Sequence, residues 1–418
     1  MQENSRYAVG IDIGTTMIRC VVGHLDDAGG KPTIVGVGKA PNSGMRKGIV
    51  SHLQGPGTAI DEALGEAERM SGYQVDIAAL SINGAHIIST KADGMIAVGA
   101  ADHEITHDDL ARIEDVATMG KVPPNREILE VIPHAYRLDG QDNIKDPLGM
   151  AGTRLEIDAN VVSALAPHLQ NLQKAAEVAK VDAKSIVPSV IASAKAVLSE
   201  SQMENGVAVI DMGGSTTGVA VYEEGDLQYV GVIPVGGANI TNDLAIGLKT
   251  DPEVAEKVKL AHAVAMVRKD TEGISIKHDG EVLTFSSHEI DEIVDARLEE
   301  IFDAVQKELK KAGRAGQLPS GVVLTGGAAN MKHMTEYAKN ALGLAARLGK
   351  SAGYGGVSDE AEKPEYAAAV GLMLIDSEGA PSAKQNGFHV PGLSGKNAKD
   401  SAKKAGGALG KFLKRFKT

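Results

Sequence analysis

The 418-residue chain contains no tryptophan, only five phenylalanines and a single cysteine, Cys20. One thiol excludes an internal disulfide and a cysteine-built zinc cluster, and it fits a reducing compartment such as the cytoplasm. No stretch approaches the roughly 18 consecutive apolar residues of a spanning helix. The opening MQENSRYAVGIDIG lacks the charged-then-apolar layout of a secretory signal. The common glycine-rich phosphate signatures GxxxxGK(S/T) and GxGxxG are also missing. Basic residues are outnumbered, and the formal net charge of −12 argues against nucleic acid as a partner.

The scarce residues are unevenly placed. Residues 396–418 hold eight Lys/Arg and one Asp, a net +7, so the remainder carries −19. Two of the five phenylalanines lie in the last nine residues, GKFLKRFKT. A chain of this length exceeds one ordinary core, so two or more domains are expected.

Periodicity gives an α/β pattern. YAVGIDI (7–13) and MIRCVVGHL (17–25) read as buried strands joined by a tight polar turn at Gly14, Thr15 and Thr16. TIVGVGKAP (33–41) reads as a third strand, and a helix running to a C-cap at Gly72 follows. DIAALSING (76–84) is another strand. Residues 85–162 change texture, with polar helix starts and Pro123, Pro124, Pro133 and Pro147, and read as a small inserted α+β module. Helices are expected at 168–182 and 189–201, then three strands from 206, helices at 240–248 and 251–266, and a hairpin turning at Asp279 and Gly280. A long charged helix (288–313), a buried strand into a Gly-rich turn (321–331) and an apolar helix (364–375) complete the pattern. Residues 376–407, rich in Gly, Ser, Ala and Lys, read as a flexible linker.

The chemistry lies in a repeat. AVGIDIGTTMIRCVVG recurs about 200 residues later as VAVIDMGGSTTGVAVY. Each copy has an apolar strand, an Asp at its end, a Gly/Thr-rich turn and a second apolar strand, which suggests two similar domains facing each other. Glycines and small hydroxyls let backbone N–H groups approach phosphate oxygens. Asp12 and Asp211 at the strand ends could hold Mg²⁺ through its waters.

These motifs resemble the actin-like ATPase superfamily, which includes actin, sugar kinases and DnaK-type chaperones. Residues 12–16 (DIGTT) resemble its first phosphate motif and 211–217 (DMGGSTT) its second. Residues 324–330 (LTGGAAN) resemble its adenosine motif. The resemblance implies two α/β, ribonuclease H-like domains around an ATP·Mg²⁺ cleft. It implies a nucleotide site made of Asp12, Gly14, Thr15, Thr16, Asp211, Gly213, Gly214, Ser215 and Thr216. Gly237, Gly326, Gly327 and Ala328 join them. Glu256 and Lys259 match the segment that flanks ribose and adenine. The superfamily's Glu-Pro pair, whose Glu positions the attacking water, falls on Ser189 and Val190. Serine cannot serve as a carboxylate base, so no catalytic residue is assigned and slow turnover is expected.

The run VIPHAYRLDGQDNIKDPLGMAGTRLE in the insert resembles the diagnostic segment of the FtsA family, the bacterial actin-like cell-division proteins. That resemblance covers almost the whole chain. It implies polymerisation on the cytoplasmic face of the plasma membrane, at the division septum, and tethering of filaments of the tubulin-like FtsZ. FtsZ's C-terminal peptide would dock on residues 241–312, with Arg297, Glu300 and Lys307 as a candidate face. Other division proteins are implied partners, and the chain itself is one through filaments. The implied division is 1–84 with 163–204 and 364–378 for the first core, with 85–162 inserted. Residues 205–240 with 313–363 form the second core and 241–312 its small subdomain. A linker (379–405) and an amphipathic helix (406–418) follow.

A sugar kinase would need a catalytic Asp and sugar-binding loops, and a chaperone would need a peptide-binding domain after the ATPase. A PilM-type pilus-assembly protein is the nearest rival. It would not be expected to end in a basic amphipathic segment. Here Leu409, Phe412, Leu413 and Phe416 recur at helical spacing, with Lys411, Lys414, Arg415 and Lys417 on the other sides. Such a helix suits an interface of anionic lipid. Burying four apolar side chains contributes roughly 6–12 kcal/mol, and each cation adds about 1 kcal/mol. Ordering ten residues costs on the order of 10–20 kcal/mol. A single tail is therefore expected to bind weakly, and filaments bearing many tails to bind by avidity.

Overall fold

The computed structural model of the protein describes residues 6–26, 30–99, 103–269, 271–356 and 359–379. Near-continuous apolar runs such as VAVIDM and AALSI form central strands buried on both faces, because each sheet is covered on both sides there. Five of them make one sheet in the order Asp182–Pro188, Ile77–Ile82, Arg6–Ile13, Met17–Leu25, Thr33–Pro41. A second sheet begins with Ala346–Leu348, Val322–Thr325, Val207–Met212, Thr217–Glu223 and Asp226–Ile233. In both, the first three strands in sequence are antiparallel, and the fourth and fifth run parallel to the first. The internal repeat is thus a duplicated topology.

The second sheet does not stop at five strands. Ile88–Ala97 adds to the edge strand Asp226–Ile233, followed by Arg154–Leu165, Arg126–Leu138 and Gln141–Ile144, giving nine. These four strands, with helix His107–Thr118, form the module inserted between Ile77–Ile82 and helix Ala166–Val178. Its small core centres on Ile113, Leu155 and Ile157. Its helix starts with a reciprocal cap between Thr106 and Asp109.

Two helices lie between the halves. Ser189–Val197 and Ala367–Ser377 pack so closely that a Cβ on Gly371 would sit 1.7 Å from the Ala192 carbonyl oxygen. On the other side of the same helix, a Cβ on Gly10 would sit 2.2 Å from the Ala369 oxygen. The helix Ala367–Ser377 is therefore wedged between the first strand and its partner helix, which explains its all-round apolar sequence. Its one buried carboxylate, Asp376, accepts the Val9 N–H at 2.8 Å and pairs with Lys184.

Three expectations from periodicity are corrected. The helix read over 189–201 ends at Val197, because Leu198 is extended, and Ser199 caps a separate short helix, Glu200–Asn205. The helix read over 168–182 ends at Val178, because Lys180 turns left-handed (φ 60°). Asp182–Pro188 is then a strand, held by parallel pairing with Ile77–Ile82. The helix read to 266 ends at His262. The turn at Asp279 and Gly280 is as expected, with both residues at positive φ between the paired His278 and Glu281.

Candidate functional site

A cleft of about 730 Å³ opens between the two halves, lined by both hairpin turns. The first turn, Gly14, Thr15 and Thr16, is pinned by Asn42. The Asn42 side chain donates to the Gly14 carbonyl at 2.7 Å and its backbone N–H to the Thr16 carbonyl at 2.9 Å. The second turn closes through the Gly213 N–H on the Thr216 carbonyl, 2.9 Å. The turns touch: Ser215 Oγ donates to Thr15 Oγ1 at 2.8 Å, and a Cβ on Gly214 would meet Thr16 Oγ1 at 2.6 Å. The Gly237 N–H donates to the Gly213 carbonyl, which sets the start of helix Gly237–Gly247 against the second turn.

Two carboxylates share the floor. Asp12 accepts from Ser81 Oγ at 2.8 Å and Asp211 from Ser193 Oγ at 2.9 Å. Burial raises the pKa of Asp12, against the Ser81 hydrogen bond. Burial and then the like charge of Asp12 push Asp211 up to about 6. A pair held this way favours a cation between its members. The nearby cation is Arg19, the cross-strand partner of Asp12 in the first hairpin. Its guanidinium lies 5.4 Å from the Tyr366 ring centroid, and its Nε is buried without a hydrogen-bond partner.

The opposite wall carries the third motif. Gly326 has φ 83°, and a Cβ there would lie 2.5 Å from Asp211 Oδ1, so only glycine fits. Gly327 differs: a Cβ would meet nothing closer than 4.0 Å and would face open space. Ala328 follows in the short 3₁₀ turn Gly327–Asn330. Asn330 donates to Glu365 at 2.7 Å, tying this turn to the segment before the last helix. From helix Pro252–His262, Lys259 Nζ donates to Glu256 at 2.6 Å, Thr241 Oγ1 at 2.8 Å and the Gly237 carbonyl at 3.2 Å.

The structure thus brings every described residue of the expected nucleotide site to one cleft. Ser215 takes part through Thr15 rather than through the lining. Ser189 and Val190 are both buried at the first turn of their helix, and of the two Ser189 lines the cleft. The lining carboxylates are Asp12, Asp211, Glu256 and Glu365. Among the described residues no group of three or more His, Cys, Asp or Glu could ligate a metal directly. The residues present therefore suit a hydrated Mg²⁺ held by two carboxylates rather than an all-protein cage. Sequence reasoning missed Arg19, Asn42, Asn83 and Glu365. Only Arg19 left a signal, as a lone cation in an apolar strand whose hairpin register sets it opposite Asp12.

Arg297 is bound at home. It forks onto Asp243 at 2.5 and 2.9 Å and pairs with Glu300 on its own helix, while Lys307 is exposed. The expected membrane residues Leu409, Lys411, Phe412, Leu413, Lys414, Arg415, Phe416 and Lys417 lie outside the described residues.

Two family models match the chain: Cell division protein FtsA over residues 208–371, and the SHS2 domain inserted in FTSA over 84–163. The chain is 33% identical to Cell division protein FtsA of Pseudomonas aeruginosa over 376 residues, 89% of each protein. The chain belongs to the FtsA cell-division family. The inserted module is accordingly the SHS2 domain of that family. Two solved structures share the fold. The PilM–PilN type IV pilus biogenesis complex aligns with a TM-score of 0.65 at 15% identity, covering 88% of this chain and 98% of that one. MreB5 of Spiroplasma citri bound to ADP aligns at 0.54 and 14% identity, covering 91% and 98%. The fold is therefore actin-like, two related halves around a cleft with an inserted domain. Among the described residues of this FtsA-family chain, no helix is long and apolar enough to cross a membrane.

Proposed function

We propose that this FtsA-family chain binds ATP·Mg²⁺ in the cleft, polymerises on the cytoplasmic face of the plasma membrane at the septum, and tethers FtsZ filaments there through its C-terminal amphipathic segment. The observation that carries the reading is the meeting of two topologically identical hairpins, each ending in an Asp and a glycine turn, over a shared open space. Backbone N–H groups of the two turns would receive the phosphates. Asp12 and Asp211 would hold Mg²⁺ through water, and bound Mg²⁺ would neutralise charge on the phosphates. Arg19 adds a fixed cation on the same floor. Gly326 and Gly327 would admit the adenosine, with Glu256 and Lys259 beside the ribose and base. Ser189, at the place to which the superfamily resemblance assigns a Glu, supports slow turnover, with ATP acting mainly as a conformational and polymerisation ligand. FtsZ's C-terminal peptide would bind the small subdomain, 241–312.

Calorimetric titration with ATP·Mg²⁺ tests the cleft. The Gly327→Asp variant has room to fold, so its carboxylate should cut affinity at least tenfold without lowering the melting temperature. Unchanged affinity would remove the cleft from the nucleotide site. Phosphate release by the parent should stay below about 1 s⁻¹, the low end of ordinary enzymes. The PilM-type reading rests on fold alone at 15% identity. Binding of a pilus-protein N-terminal peptide, with no binding of an FtsZ C-terminal peptide, would favour it.

A further inference from the structure

The inserted domain is rooted in one half of the molecule and fastened to the other. Its root is a clamp on the two chain crossings. The Arg126 guanidinium donates to the His86 carbonyl on the incoming segment, and to Ser163 Oγ at 3.0 Å and the Ser163 carbonyl at 2.8 Å on the outgoing strand. The buried His86 ring contacts the Asn83 carbonyl at 3.1 Å, and Asn83 lines the cleft. Root and cleft floor are therefore three residues apart in sequence and directly bonded.

The far attachment falls on strand Asp226–Ile233 of the second half and the turn just before it. One backbone bridge joins Gly231 to Ile88. The Val230 N–H donates to Ser89 Oγ at 3.1 Å, and the buried Asn160 side chain to the Leu227 carbonyl at 3.4 Å. Lys145 Nζ reaches Asp226 Oδ2 at 2.6 Å and the Glu224 carbonyl at 3.3 Å. This strand leads straight back to the cleft. The Val235 carbonyl beyond its end accepts from Thr217 Oγ1 at 2.8 Å, and Gly236 and Gly237 then open the helix set against the second turn. The fastening combines these polar contacts with apolar packing: Leu227 and Val230 of the strand share a core cluster with Val162 of the inserted domain, and Leu129 and Ile132 pack against it. Its polar members can break and reform without unfolding either body.

We propose that the fastening of the inserted domain to strand Asp226–Ile233 is a latch coupled to the state of the cleft. A body held by both halves must move, or release one hold, when the halves rotate about the space between them. Nucleotide that changes the separation of the hairpins therefore changes the strength of the latch. By linkage, breaking the latch changes nucleotide affinity by the same factor. A ligand that pulled the inserted domain off this strand would act on the cleft from a distance. The inference rests on the reading of the cleft as an ATP site.

The test uses the full chain and a charge swap at the latch. Lys145→Glu and Asp226→Lys should each shift the Kd for ATP·Mg²⁺ by about three- to tenfold, in the same direction. The double variant Lys145→Glu/Asp226→Lys restores an ion pair of opposite polarity, and its Kd should return to within twofold of the parent. In the parent, saturating ATP·Mg²⁺ should change hydrogen exchange at the Val230 and Ile88 amides. If both single variants speed exchange at Val230 but bind ATP·Mg²⁺ like the parent, the latch is mechanically present and uncoupled, and the inference is overturned. A parent that takes up no ATP·Mg²⁺ overturns the reading of the cleft, and the coupling with it.

Discussion

Asp211 has no intrinsic reason to resist ionisation; its place on the cleft floor, facing Asp12, supplies one. With its folded pKa raised to about 6 from 3.8, the native chain holds a proton between those values that the unfolded chain releases. Stability should therefore fall as pH rises from about 4 to 6 and level off above, by up to about 3 kcal/mol. Glu360 works in the opposite sense. Lys363, Lys39 and Tyr366 hold it down to about 2, so its contribution is lost only as pH falls below about 4.5. The two windows separate. Asp211→Asn should flatten the rise in melting temperature seen on lowering pH from 6.5 to 4.5 in nucleotide-free protein. An unchanged slope would show that the pair is not the source. ATP·Mg²⁺ affinity of the parent should weaken below about pH 6, where the floor takes up protons.

At the scale of elements, the helix pair between the halves is the tightest fit. Gly371→Ala places a methyl group where the Ala192 carbonyl already stands. The helices must separate, and overpacking of this kind costs about 1–3 kcal/mol or more. Thermal denaturation should show a fall of several degrees; a neutral outcome would mean that the pair yields easily. The C-terminal amphipathic helix expected from spacing lies outside the described residues, and its proposed role has a direct test. Deleting 406–418 should release the protein from anionic vesicles in sedimentation while leaving calorimetric ATP binding intact. Continued pelleting would rule out this segment as the anchor. The two tests separate a buried contact from a surface-seeking one.

At the scale of the whole molecule, charge and shape act together. A body of net −19 repels an anionic membrane, and a +7 segment attracts it. Under the proposed function, one such segment would be too weak for lasting attachment, so assembly and membrane binding should reinforce each other. Head-to-tail stacking of two-domain bodies is a heterologous contact that yields open filaments. On an anionic lipid monolayer with ATP, electron microscopy should show filaments that thin out without nucleotide. Dispersed single particles at high surface density, with ATP present, would count against assembly.

Much of the architecture could be read from the chain because its signals are local. The hairpins 7–25 and 207–223 follow from apolar runs on either side of Gly/Thr turns, and their likeness announces the duplicated halves. Gly214 and Gly326 stand where the backbone closely approaches a neighbour, Thr16 and Asp211, so their place in Gly-rich turns already marks them. Strand Asp182–Pro188 was not legible: its short sequence forms a strand only because Ile77–Ile82 offers a parallel edge about 100 residues away. Asn42 and Glu365 reach the cleft from segments with no motif of their own. Sequence by itself determined the two similar halves, the motif positions and the inserted module, since each depends on neighbours within a few residues. Only the tertiary structure decided which edge the inserted strands would extend, that Arg19 would share a floor with Asp12 and Asp211, and that burial beside Asp12 would raise the pKa of Asp211. Those outcomes depend on distances between residues far apart in the chain, which no local pattern encodes.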